Sequence, residues 1–102
     1  MKTPNNKNTL LIPQAKFSLG AVCLARIASE TLPPREVFRA LARHAQGDWG
    51  DLCRGDREQN DQALQSGEER LFSSYHTEDG TKFWIITEWD RSVTTVLLPE
   101  EY

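Results

Sequence analysis

With 102 residues, 38% of them hydrophobic, 26% charged and nine aromatic, the chain is long enough for one compact domain and too short for two. That composition excludes wholesale disorder and a fibrous repeat, and no run approaches the ~20 apolar residues that cross a bilayer. The net charge of −3 is divided unevenly: residues 1–45 carry +5 and residues 46–102 carry −8, a polarity that steers partners without bearing on fold.

Residues 1–14 are polar, Asn-rich and interrupted by Pro4 and Pro13, which predicts a flexible tail ahead of a single domain over 15–102. The same segment lacks the apolar centre of a secretory signal, so a cytoplasmic, membrane-free protein is expected. Residues 16–25 begin in alternation and become continuously apolar, the pattern of a strand entering a buried layer, with Gly20 marking a bend. Thr31-Leu32-Pro33-Pro34 opens the clearest helix: Thr31 can cap, proline suits the first turn, and Glu36 complements the positive end of the dipole. It should run from Pro34 to about Gln46 and stop at Gly47, with Val37, Phe38, Leu41 and Ala45 in one stripe and Arg35, Arg39 and Arg43 in a row on the other side. A second, surface helix is predicted from Asp56, with Gln59 three positions on, to Gly67; it offers only Ala63 and Leu64 for burial.

The last third reads as a β-meander with strands over 71–77, 81–89 and 93–98. Taking Asp79-Gly80 as the centre of the first turn places His76 opposite Phe83, Ser74 opposite Ile85 and Phe72 opposite Thr87, with Tyr75 and Trp84 paired on the other face. Both faces are then apolar. One packs on the helices; the other needs the first strand, the loop bearing Trp49, or a second chain in a homodimer. The expected fold is α+β: an antiparallel sheet of three to four strands with two helices.

The densest polar group runs from His44 through Asp48 and Asp51 to Asp56 around Trp49. Its functional reading is a divalent cation held by the three carboxylates, or a general base beside an electropositive helix, and the enzyme alternative is a metal-dependent hydrolase at the Gly47-Asp48-Trp49-Gly50-Asp51 loop; its structural reading is a helix terminus with Trp49 plugging the core. The spacing fits no calcium loop. Cys23 and Cys53 form no C-x-x-C pair and read as free thiols, and neither they nor His44, His76, Ser73, Ser74, Ser92 or Asp90 sit in a catalytic signature. Neither a metal nor a cofactor is expected. Arg35, Arg39 and Arg43 could touch nucleic-acid phosphate, but the acidic half opposes this, so direct nucleic-acid binding is the lesser alternative, as is a toxin-like ribonuclease. Around Trp89 and Tyr102, the residues Glu88, Asp90 and Arg91 read as ion pairs or as the rim of an interface.

From Arg43 onward a longer pattern emerges: Gly47-Asp48-Trp49-Gly50-Asp51-Leu52, Asn60-Asp61, Arg70-Leu71, Tyr75, Asp79-Gly80-Thr81-Lys82, Trp84-Ile85-Ile86-Thr87-Glu88, Asp90-Arg91-Ser92 and Leu97-Leu98-Pro99. It resembles a family of small "plasmid-related" proteins encoded on bacterial plasmids, integrated elements and phages. Trp89 departs from that pattern, which has a small residue there. The family carries no established activity, so the resemblance implies a mobile-element setting and no catalytic role. That setting implies, by analogy, an anti-CRISPR or anti-restriction type of accessory protein. The expectation is therefore a non-enzymatic module that binds a host protein or nucleoprotein, with Asp48, Asp51, Asp56, Glu88 and Asp90 steering towards a basic partner, Arg91 on the rim, and Trp89 or Trp49 as anchor.

Overall fold

In the computed structural model, which describes residues 12–102, the elements follow the order β1 (Ala21–Leu24), α1 (Arg26–Thr31), α2 (Pro34–Ala45), α3 (Arg54–Ser66), β2 (Leu71–His76), β3 (Lys82–Thr87), β4 (Val93–Leu97) and a 3-10 turn (Pro99–Glu101). The class is α+β, as expected, but with three helices and a mixed sheet of order β1-β4-β3-β2. The meander β2-β3-β4 is antiparallel, whereas β1 runs parallel to β4, from Ala21 beside Val93 to Leu24 beside Val96. Gly20 makes that approach feasible: its φ is +65°, and a Cβ there would lie 2.2 Å from the Ser92 carbonyl oxygen. No helix among the described residues is long and apolar enough to cross a membrane. Residues 1–11 of the expected tail lie outside the described residues; from Ile12 the chain is already packed, and the Lys16 amide donates to the Ala45 carbonyl at 2.7 Å.

Helix α2 forms where expected and ends before Gly47, whose φ of +84° suits a left-handed stop. Its N-cap is Pro33, with no side-chain cap; Thr31 belongs instead to the end of α1. The buried stripe is Val37, Ala40, Leu41, His44 and Ala45, and Phe38 lies outside it at 55% exposure, because the stripe centres between Val37 and Leu41. Helix α3 starts two residues before Asp56, at Arg54, and stops at Gly67 with φ +74°.

The hairpin is one residue out of the expected register. Tyr75 pairs with Phe83, Ser73 with Ile85 and Leu71 with Thr87 on the inner face, leaving Phe72, Ser74, His76, Lys82, Trp84 and Ile86 on the outer one. Asp79-Gly80 does not form a two-residue turn. Five residues separate the strands, Thr77 and Thr81 close the loop backbone to backbone at 2.9 Å, and the Asp79 carboxylate accepts from the hydroxyls of Thr77 and Thr81.

The inner face meets α1 and α2 in a core of Ala28, Val37, Leu41, Tyr75, Phe83, Ile85 and Val96, while Trp49, Ala63 and Leu71 form a second cluster beneath α3. The free edge of β2 is closed without another strand. The Asn60 side chain donates to the Phe72 carbonyl (2.6 Å) and accepts from its amide (3.1 Å), and Gly50 bridges to Ser74. Gly50 has φ +76°, and a Cβ there would meet the Ser74 carbonyl oxygen at 2.0 Å and the Tyr75 ring at 2.8 Å. Gly50→Ala is therefore expected to cost about 2–3 kcal/mol in urea unfolding, since both strain and a backbone clash must be relieved; a loss below about 0.5 kcal/mol would show that this loop does not seal the edge.

Candidate interaction surface on the outer sheet face

The polar group around His44 resolves into two separate structures, one sealed in the core and one at the surface, where Asp51 and Asp56 line an open depression together with Cys53 and His76. His44 is fully buried beneath Phe17 and Trp49, with ring centroids 5.3 and 5.6 Å away. Thr94 donates to the Leu19 carbonyl (2.7 Å), so its oxygen accepts from Thr87 (2.7 Å), whose oxygen in turn accepts from His44 Nε2–H (2.9 Å). Nδ1 is left to accept the Ser73 hydroxyl at 2.5 Å. Every donor is used once, which fixes the neutral Nε2–H tautomer. Burial is the main cause that pushes the His44 pKa down, to about 3, and the charge of Arg91 adds to it.

At the surface, Arg43 grips Asp48 through Nε (2.8 Å) and Nη2 (3.2 Å) and lies 4.8 Å over the Tyr75 ring. This pairing holds the Asp48 carboxyl below its ordinary pKa and raises that of the guanidinium. Burial raises the Tyr75 pKa, keeping its hydroxyl protonated to donate to the Asp48 carbonyl at 2.6 Å. Asp51 turns the other way, to His76 Nδ1 at 2.7 Å. Asp48, Asp51 and Asp56 thus do not converge, and among the described residues no three His, Cys, Asp or Glu side chains could hold a metal ion. Cys23 and Cys53 are exposed free thiols.

Two residues expected at an interface are spent internally. Trp49 is 3% exposed, stacks with Phe17 at 6.2 Å and donates to Asp61 at 2.9 Å, so it is a core plug and not a surface anchor. Arg91 does not pair with Asp90 or the Glu88 carboxylate; its guanidinium donates to the carbonyls of Ala63, Glu69, Glu88 and Trp89. Asp90 accepts from the amide and hydroxyl of Ser92, which lowers its pKa. Trp89 remains 60% exposed. The arginine row is also broken up: Arg43 is held by Asp48, Arg39 shares a groove of about 150 Å³ with Glu36 and Glu78, and Arg35 stays exposed.

What the sequence reading missed, Tyr102 apart, lies on the outer face. Phe72 meets Trp84 edge to face at 5.1 Å, and Trp84 meets Tyr102 at 5.8 Å. Arg70 donates to the Tyr102 hydroxyl at 2.9 Å and stands 3.9 Å from Glu88. The turn carrying Tyr102 is anchored by the Glu101 carboxylate, which accepts from the amides of Ile27 (2.6 Å), Ala28 (3.1 Å) and Leu98 (3.0 Å). Three adjoining open depressions of about 270, 320 and 370 Å³ share Phe72. Asp51, Asp56 and Glu69 line them, and neither Asp56 nor Glu69 makes an ion pair among the described residues. The surplus apolar face anticipated from the meander was the available signal; the shifted register hid which residues compose it. Compared with protein-family models, curated proteins and solved structures, the chain gives no match.

Proposed function

We propose that the protein is a non-enzymatic binding module whose outer sheet face docks on a basic surface of another protein. In the mobile-element setting implied by the resemblance, that partner is a host defence nucleoprotein, inhibited in the anti-CRISPR or anti-restriction manner. The reading rests chiefly on the Phe72-Trp84-Tyr102 row, an accessible aromatic ridge that Asp51, Asp56, Glu69 and Glu88 border. Aromatic anchors inside a polar rim are the usual composition of an interface hot spot, and carboxylates around them raise the encounter rate with a cationic partner.

The experiment is capture of host proteins on tagged protein, identified by mass spectrometry, repeated with Trp84→Ser, Trp89→Ser and an Asp51→Lys/Asp56→Lys double variant. Capture of one partner should fall about tenfold or more with Trp84→Ser and with the charge reversal, as for a central anchor worth ~1.4 kcal/mol or more. Undiminished capture by both variants, with folding intact by circular dichroism, would reject this face. Light scattering on the same samples tests the homodimer: a dimer that Trp84→Ser dissociates would make the second copy the occupant instead.

A further inference from the structure

We infer that the 270 Å³ depression between β2, β3 and the start of α3 receives a single arginine side chain of the partner, an assignment that rests on the outer-face reading above and gives it a chemistry. Its floor is Ser74. Strand alternation and pairing with Trp84 put this side chain on the outer face, and the residue is 4% exposed. Its Oγ is the buried side-chain polar atom that, among the described residues, has no hydrogen-bond partner. No backbone group pairs with it. The Ser74 amide already donates to Trp49, and its carbonyl accepts from Asp51. A buried hydroxyl without a partner costs about 1–3 kcal/mol, so a ligand that supplies one gains more than an ordinary contact.

The rest of the lining narrows the ligand. Phe72 and Trp84 supply aromatic wall, Asp56 a carboxylate free of ion pairs, and Asp51 is occupied by His76. The space far exceeds the ~30 Å³ share of one water, so a side chain suits it better than a lone solvent molecule. A guanidinium meets these demands together: its plane stacks on an aromatic ring while its fork donates to Asp56 and, once the sealed Ser74 side chain turns towards it, to Ser74 Oγ. An ammonium is a compact point charge that does not stack and donate in one plane. Lys82 also lines the depression and makes no ion pair among the described residues, so it opposes a cation there and would favour an anion.

The test is an NMR titration of the full chain with N-acetyl-arginine N-methylamide, and with its lysine and glutamate counterparts. Saturable shifts at the Trp84 indole N–H and the Ser74 amide are expected in the millimolar range, about fivefold tighter for arginine than for lysine. Ser74→Ala should weaken binding by about threefold without lowering the melting temperature, because it removes no hydrogen bond of the free protein. Asp56→Asn should weaken it by about fivefold, and Lys82→Gln should tighten it by about twofold. Non-saturating shifts, equal response to lysine, preference for the glutamate analogue, or unchanged affinity in Ser74→Ala would each overturn the assignment. If the partner is captured through Trp84 while arginine fails here, the outer face stands and the arginine pocket falls; arginine binding with Trp84-independent capture would sink the docking reading and leave the pocket.

Discussion

Replacing His44 by alanine is expected to remove about 3–5 kcal/mol of stability, read as a lowered urea midpoint at pH 7. The side chain is wholly buried, so the change opens a cavity and also strips partners from the Ser73 and Thr87 hydroxyls. A domain with about 5–15 kcal/mol in total would be left near its threshold. The same residue dictates a pH response. Unfolded, the imidazole takes a proton below its ordinary 6.5; folded, burial delays protonation to about 3. Between those values the unfolded state binds more protons, so the stabilisation is complete above pH 6.5 and is lost as pH falls, at about 1 kcal/mol per pH unit. His44→Gln keeps a donor and an acceptor in one side chain but cannot titrate. Its urea midpoint should be nearly flat between pH 6.5 and 5, where the parent protein's falls; parallel profiles would mean that His44 is solvated and free to do chemistry.

That residue also shows where sequence reasoning reached and where it stopped. A histidine beside three aspartates reads as a candidate base, because Ser73 and Thr87, which bond its ring, and Thr94, which bonds Thr87, lie on three strands and meet only once the register is known. What is local was legible: Pro34 at the start of α2, and the left-handed glycines 47 and 67 that end α2 and α3. What depends on distant closure was not. Helix α1 is tied at its start by Glu101, 74 residues from Ile27, and no local signal announces that cap. Parallel pairing of β1 with β4 is equally remote. The hairpin failed for a subtler reason. Asp-Gly favours a two-residue turn, but the threonines on either side hydrogen-bond Asp79 and stabilise a longer loop, and a one-residue slip exchanges the faces. Trp84 and Phe72 therefore appeared on opposite faces, and the ridge on which the proposed function rests went unseen.

Arg91→Ala should cost about 3 kcal/mol, the second large effect, although the residue looks from the sequence like a rim cation. Its two terminal nitrogens donate to four carbonyls, at 2.6 Å (Glu69), 3.3 Å (Glu88), 3.1 Å (Trp89) and 3.2 Å (Ala63), joining the end of α3 to the β3-β4 turn. Carbonyl dipoles stabilise the guanidinium in place of a carboxylate, and charged hydrogen bonds of this kind are worth more than neutral ones. Lysine offers one nitrogen where the site uses two, so Arg91→Lys should recover less than half of the loss. Backbone strain adds a distinguishing sign. Arg91 has φ +61°, a conformation that costs a non-glycine residue about 1 kcal/mol, so Arg91→Gly should be more stable than Arg91→Ala by that amount despite having even less side chain. Amide exchange should quicken at residues 63–69 and 88–92 in Arg91→Ala and stay unchanged in β1. If alanine instead costs less than about 0.5 kcal/mol, the guanidinium is not a staple. It would then be available to a partner beside the exposed Trp89, and the docking surface would have to be moved from the outer sheet face to that turn.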